Sequence, residues 1–428
     1  MTAEVLTCLR FALGMGLLLL LPCRVIGQPA LPTQVPSDKS LVVFVQGANF
    51  LGGLYQGTTM LVGADKNSWG YALLQPGRQK LWGCGPERDV VFVAGATHYF
   101  LCDILMSTLP EDEARAFLAE LSVPTSGEPF KKPERAYKTF TQMAERYEWH
   151  SVPAIPSPPR PAASDGWLAV PASTPVELEL VEMVTSALTP PGGQVWLQVA
   201  EDVAIEGQVW LPAGSMVRGV LPQVKRRAGP AIGSFELVVP SVDANGVRVP
   251  LIGQFFSAAR HRAKAMNTAL LLGGPLAVLM VGGNNAFELP GTRIRMWTRE
   301  ETWIPHAGAA ASATAAPDAQ RESIRARALF DVKFNPQGDS PPGAITFLIE
   351  SPIGLSEVKL VAARGRPLPE HPSAQQIAHD ARGWIATFDG WSLLRFTGVA
   401  AEPIPLRLAG TLSDGRQFVA DASLKVIP

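Results

Sequence analysis

The chain has 428 residues, a formal charge of −1 from 37 basic and 38 acidic residues, and an apolar share of 47%. That length gives two or three domains, each able to bury a core of its own. The even charge balance supplies no basic excess to hold nucleic acid, so no nucleic-acid partner is expected.

The N-terminus carries Arg10, an apolar run over residues 11–21, Pro22, and then Val25-Ile26-Gly27. This is the layout of a secretory signal peptide, residues 1–27, with cleavage after Gly27. The run is shorter than the roughly 20 residues a membrane span needs. An uncleaved anchor is the alternative. Cys23 raises a lipid-modified start, but Pro22 sits where that signal wants a small residue. Export makes the location periplasmic or outer-membrane associated. Of four cysteines, two lie in the leader, and Cys84 and Cys102 remain. An even pair in an exported chain favours a disulfide.

Residues 28–38 read as a lead-in, and residues 40–150 as a small helical domain stapled by that disulfide. Residues 40–63 are apolar and spotted with Gly47, Gly53 and Gly57. They suit a mainly helical segment, a strand followed by a helix being the alternative. Residues 90–109 read as a second apolar helix containing Cys102. Pro110-Glu111-Asp112-Glu113 opens a third, because proline and acidic residues suit a first turn. Residues 133–150 form a fourth, with Tyr137, Phe140, Met143 and Tyr147 at helical spacing. Leu54-Tyr55-Gln56-Gly57 followed by Cys84-Gly85-Pro86 faintly resembles the Tai-type periplasmic immunity proteins. That resemblance implies helical architecture and nothing further.

Residues 151–175 begin with SVPAIPSPPRPAA, a stiff proline-rich linker. Residues 176–304 then read as a β-domain of short strands and fixed turns. Residues 195–199 and 208–211 are strands around Glu206-Gly207. Pro212-Ala213-Gly214-Ser215 breaks the second, and residues 216–221 follow. Residues 235–239 are expected to pair with residues 247–251 through Asp243-Ala244-Asn245-Gly246, since Asn-Gly tolerates positive φ.

The order of these signals runs through residues 200–203, 207–219, 245–253 and 290–294. It resembles the β-domain of TrbI-type proteins, over about residues 176–300. Those proteins are outer-core scaffolds of conjugation and type IV secretion systems. The chain departs from them in lacking a cytoplasmic part and in adding a C-terminal domain. The resemblance implies a rigid β-scaffold. It also implies a helical hairpin that enters the outer membrane.

Residues 265–287 hold no charged residue, and Gly273-Gly274-Pro275 bends the run. A buried helix or hairpin covering the barrel is the first reading. Membrane contact or self-association through Leu270, Leu271, Leu272, Leu276, Val278, Leu279 and Met280 is the second. Residues 305–322 form an alanine-rich linker. Residues 323–428 contain short strands at 325–334, 344–350, 357–363, 384–388, 392–396, 404–412 and 417–427. Asp389-Gly390 and Asp414-Gly415 are expected as hairpin turns. Seven strands in about 100 residues suit an immunoglobulin-like sandwich. The fold class expected is thus multidomain α+β: a small helical domain, a β-barrel or sandwich-like domain, and an immunoglobulin-like β-sandwich.

Little in the chain reads as chemistry. His98 and Cys102 are four residues apart and share a helical face, a spacing that can make a thiolate nucleophile. The stronger reading puts Cys102 in the disulfide with His98 packed beside it. Asp103 is the nearby carboxylate. Gly338-Asp339-Ser340 opens like a serine-hydrolase motif, but Pro341-Pro342 follow it at once. His379-Asp380 suits a solvated helix face. Lys225-Arg226-Arg227 suits a solvated hairpin loop or an anionic-lipid contact. Trp196, Trp210, Trp297 and Trp303 fit a β core or rim, with a glycan platform as the alternative. No cofactor and no metal site is expected. The expectation is a non-catalytic exported envelope scaffold or adaptor whose partners are other envelope proteins. The alternatives are a periplasmic hydrolase with a site near His98 and a carbohydrate-binding protein.

Overall fold

The computed structural model describes residues 31–46, 52–64, 68–84, 87–102, 106–121, 148–149, 156, 158, 166–228, 232–259, 284–305 and 322–427. The expected leader, residues 133–147 of the expected helix 133–150 and the apolar positions 270–280 lie outside the described residues; the end of that helix is corrected, since Glu148–Trp149 pairs as a strand with Gln223 and Val224. No helix among the described residues is long and apolar enough to cross a membrane.

The N-terminal part is built mainly of strands, which corrects the expected helical domain. Ser40–Gln46 is a strand buried along its whole length. It lies between Ser68–Leu74, antiparallel, and Thr97–Cys102, parallel, with Met106–Thr108 beyond. A strand covered on both faces needs no polar alternation, so its sequence looks like a buried helix. Val42, Val43 and Val45 are the β-branched residues that tip it to extended backbone. Gly52–Gln56 and Thr59–Ala64 form a hairpin where more helix was expected. Residues 90–109 likewise run through three strands, Arg88–Phe92, Thr97–Cys102 and Met106–Thr108, the first two joined by a turn at Gly95 with φ +75°. The expected helix at Pro110 does form, over Glu111–Glu120, with three acidic residues in its first turn.

The central part is a curved sheet. Its order is Ser241–Ala244, Val247–Ile252, Arg293–Thr298, Pro175–Leu180, Gln194–Val199, Met216–Lys225, Ser234–Val238 and Phe255–Ala258. It wraps a core of aliphatic and aromatic residues that includes Leu178, Leu197, Trp210, Phe235 and Met296. Glu206-Gly207 and Asn245-Gly246 both have positive φ at the two turn positions, as two-residue hairpins require. The second turn joins Ser241–Ala244 to Val247–Ile252. Ser234–Val238 pairs instead with Met216–Lys225 and Phe255–Ala258. The expected pairing of 235–239 with 247–251 fails because Pro240 cannot continue a ladder, so the chain starts a new strand.

The C-terminal part follows immunoglobulin-like order. Leu355–Ala363, Ala400–Leu412 and Gln417–Ile427 pair on one side, with Arg366–Pro367 at the edge. Ile345–Glu350, Gly383–Phe388 and Gln376–Asp380 pair on the other. Glu322–Ala328 joins them, parallel to Gln417–Ile427 at its start and antiparallel to Ile345–Glu350 at its end. Two expectations need correction. His379-Asp380 lies on a strand, with His379 edge-on to Trp384. Residues 392–396, expected as a strand, belong to the helix Gly390–Thr397. Asp389 ends the preceding strand and caps that helix, its carboxylate accepting from the Ser392 amide at 2.8 Å. The same Asp-Gly pair that can make a hairpin here starts a helix. Asp414-Gly415 does make the expected hairpin, with Gly415 at φ +90°.

Thr33–Pro428 pack as one compact unit. Its three parts have separate cores, and apolar side chains of the central part pack into or against each neighbour, among them Trp297 beside Val93 and Ala96, and Leu188 and Leu289 beside the C-terminal core. Phe256 sits in the N-terminal core, and Met183 sits in the C-terminal core.

Removing the cap tests the helix assignment. Asp389→Ala is expected to lower stability to urea by about 1 kcal/mol, and Asp389→Asn by much less. Equal loss in both variants would contradict the capping role.

Candidate functional site

A groove lies where the N-terminal part meets the central sheet. Its inner portion encloses about 320 Å³, within the range of small-ligand pockets. Thr97, His98, Tyr99, Thr108, Glu111 and Arg115 line one wall. Glu177, Gln254, Phe256, Arg295 and Trp297 line the other. A shallower hollow of about 690 Å³ shares Glu111, Glu177, Glu201, Arg295 and Trp297, and extends to Asp202.

The sheet places the charges. Glu177 and Arg295 are direct cross-strand partners, so their side chains leave the same face together. The Arg295 guanidinium donates to Glu177 and, across the groove, to Glu111. Glu111 stands in the first helical turn, where the helix dipole favours a carboxylate. It also accepts from Arg115 at 2.6 Å, one turn along. The result is an alternating chain, Glu177, Arg295, Glu111, Arg115, that ties two parts of the protein together. Burial pushes the Glu111 carboxyl up, but hydrogen bonds from Arg115 and the Arg295 charge outweigh it and hold it below the usual range. Burial and the Glu111 charge push the Tyr99 phenol up. Each charge in this chain has its countercharge within the wall.

His98 and Cys102 do not assemble into a nucleophile. Cys102 forms a disulfide with Cys84, with Cα atoms 5.7 Å apart, as the sequence led us to expect. Such a bond suits an oxidising, exported setting. His98 shares a strand with Cys102, not a helix. Its Nε2 accepts from the Val93 amide at 3.2 Å. Its ring packs edge-on to Phe92 and 4.9 Å from Trp297. Burial alone pulls its pKa down to about 3. The ring is therefore neutral near pH 7, its Nε2 lone pair already used by a backbone N–H.

Other sequence candidates have structural partners. Asp339 accepts from Arg227 and from the Asn285 side-chain amide, the latter at 2.7 Å. This corrects the reading of Lys225-Arg226-Arg227 as a purely solvated loop, since Arg227 holds the C-terminal part. Trp210 is core. Trp196 donates from Nε1 to Glu370 at 2.8 Å and carries the Arg218 guanidinium over its ring. Trp303 donates to Glu301. Trp297 alone of the four lines the groove. Among the described residues, no cluster of His, Cys, Asp and Glu is arranged to hold a metal ion.

Two residues that sequence reading did not single out are buried glutamates, Glu182 and Glu236, at 2% and 6% exposure. Glu182 accepts from Arg395 and from the Trp196 amide. Glu236 accepts from Gln254 at 3.0 Å and feels the charge of Arg88. No local pattern announces either one, because each partner arginine lies in a different part of the chain.

No protein-family model matches this chain, and a search of curated proteins returns no match.

Arg295→Met is expected to cost about 1–2 kcal/mol in urea unfolding, since it leaves two half-buried carboxylates without their shared donor. Reduction of the disulfide is expected to cost about 3 kcal/mol by freeing the 84–102 loop in the unfolded chain. Before reduction, a thiol assay on the protein without residues 1–27 is expected to detect no free thiol.

Proposed function

We propose that this protein is a non-catalytic, exported envelope scaffold or adaptor. Its three β-rich parts act as one body that offers a groove to another envelope protein. The observation that carries this reading is the Glu177–Arg295–Glu111–Arg115 chain. Its charges are spent on one another and on joining two parts of the fold, where a reacting site keeps groups poised for substrate. The Cys84–Cys102 disulfide favours an extracytoplasmic location, in line with the signal peptide read in residues 1–27. The turn pattern similar to the TrbI-type β-domain fits a scaffold role. Membrane contact through residues 265–287 belongs to the same proposal. A hydrolase at His98 is disfavoured, because the histidine is desolvated and neutral and the nearby sulfur is oxidised. A glycan site would have one tryptophan, Trp297, and that ring is 7% exposed.

The test places a photo-crosslinking amino acid at the exposed rim residue Glu201 in the native envelope. A discrete adduct of higher mass is expected, absent from the purified chain alone. The same probe at Arg382, in the far part of the C-terminal sandwich, is expected to give none. No adduct at Glu201 would overturn the groove as the docking surface.

A further inference from the structure

The groove holds two ring N–H groups that the fold itself does not use. Trp297 and Arg295 stand two apart on the strand Arg293–Thr298, so both side chains leave the face that forms one wall. His98 comes from Thr97–Cys102 on the other wall, its ring 4.9 Å from that of Trp297. Its Nε2 accepts from the Val93 amide, so the proton of the neutral ring sits on Nδ1. Among the described residues nothing accepts from that Nδ1–H or from the Trp297 Nε1–H, and neither atom is sealed from solvent. The two side chains are buried, at 8% and 7% exposure, and both line the groove. The groove is therefore the space these donors reach.

The outer end has a different demand. The hollow that continues the groove is lined by four carboxylates, Glu111, Glu177, Glu201 and Asp202, and by one guanidinium, Arg295. Arg295 and Arg115 answer Glu111 and Glu177. Among the described residues no cation pairs with Glu201 or Asp202, although Asp202 accepts from the Ala213 amide at 2.7 Å.

We infer, resting on the adaptor reading above, that the groove takes an extended segment of the partner that bears lysine or arginine: a backbone carbonyl accepts from His98 and Trp297, and a basic side chain lies against Glu201 and Asp202.

The charges around the donors select this occupant. A free carboxylate or phosphate would gain both donors, but it would add negative charge where carboxylates already outnumber guanidiniums. A peptide carbonyl is a strong acceptor without net charge, so it collects the donors without that repulsion. The segment enters extended because a helix spends its carbonyls on its own amides. A basic side chain then turns the acidic hollow into an attraction and fixes the register of the segment. His98 does not oppose that cation. Burial pulls its pKa down to about 3, so the ring is a neutral donor near pH 7.

An NMR titration of the full chain, carrying isotope-labelled histidine and tryptophan, tests this with acetyl-Ala-Lys-Ala-Lys-Ala-amide as the probe. The Trp297 Nε1–H and His98 Nδ1–H signals are both expected to move to low field and to saturate. The matching glutamate peptide, and spermidine as a polycation without a carbonyl, are expected to give no comparable shift. Glu201→Gln combined with Asp202→Asn is expected to weaken binding of the lysine peptide about tenfold. Trp297→Phe, which keeps a ring and removes the donor, is expected to weaken it about fivefold. No saturating shift with the lysine peptide up to about 10 mM overturns the inference, whether or not either variant folds. An equal shift with the glutamate peptide or with spermidine also overturns it. The crosslinking at Glu201 keeps the two readings apart. An adduct without a lysine-peptide shift removes the basic segment and leaves the adaptor standing. A lysine-peptide shift without an adduct supports the chemistry of the groove and removes the envelope partner.

Discussion

The arrangement of the three parts depends on apolar contacts across the two junctions, of which Phe256 and Met183 are the most deeply buried. Each leaves the central sheet and completes a core that is otherwise built by a neighbour. Burying such a side chain is worth roughly 1.5–3 kcal/mol, and this attraction has no direction. The Glu182–Arg395 pair, and the charge of Arg88 near Glu236, add the direction. A buried ion pair contributes little net stability, because desolvation consumes most of the Coulomb gain. Removing one partner, however, leaves a charge stranded in the interior. These charges therefore penalise every misaligned docking of the apolar plugs more than they strengthen the correct one. Arg227–Asp339 and Arg366–Glu179 repeat the theme at the exposed edge of the C-terminal junction. Solvent and salt weaken pairs of that kind.

The groove follows from the same docking. It exists because the helix Glu111–Glu120 is held over the central sheet, with Arg295 bridging to Glu111. Its two walls belong to different parts of the chain, so its width is set by the N-terminal junction. Phe256, the plug of that junction, also lines the groove floor. Whatever shifts the plug reshapes the pocket.

Turn chemistry was the most legible level of this sequence. Glu206-Gly207, Asn245-Gly246 and Asp414-Gly415 each turn where their residue types demand, and Pro110 with its acidic followers starts a helix. The strand-rich character of residues 176–304 and 323–428 was legible for the same reason, since turns at short spacing leave room for little else. Residues 40–46 and 97–102 were misread because strands buried on both faces lose the period-two signature. Asp389-Gly390 was misread because an N-cap and a hairpin turn draw on the same residues. The groove was only half legible. His98 pointed towards it and Glu111 was placed only as a helix start, while nothing in the sequence singled out Glu177 and Arg295, which the sheet register alone sets opposite one another. The buried glutamates carried no local signal, for Glu182 and Arg395 stand 213 positions apart.

The strand Gln417–Ile427 has a consequence for biogenesis. It sits between Ala400–Leu412 and the first strand of its module, Glu322–Ala328, which it meets in parallel. A ribosome delivers Glu322–Ala328 about a hundred residues before that neighbour. Until then, the early strand exposes a naked ladder edge, open to illegitimate pairing. Closure of the sandwich is thus a late, long-range event, the slow kind of β-assembly. A holdase that shields residues 322–328 during synthesis would act at the moment of greatest exposure.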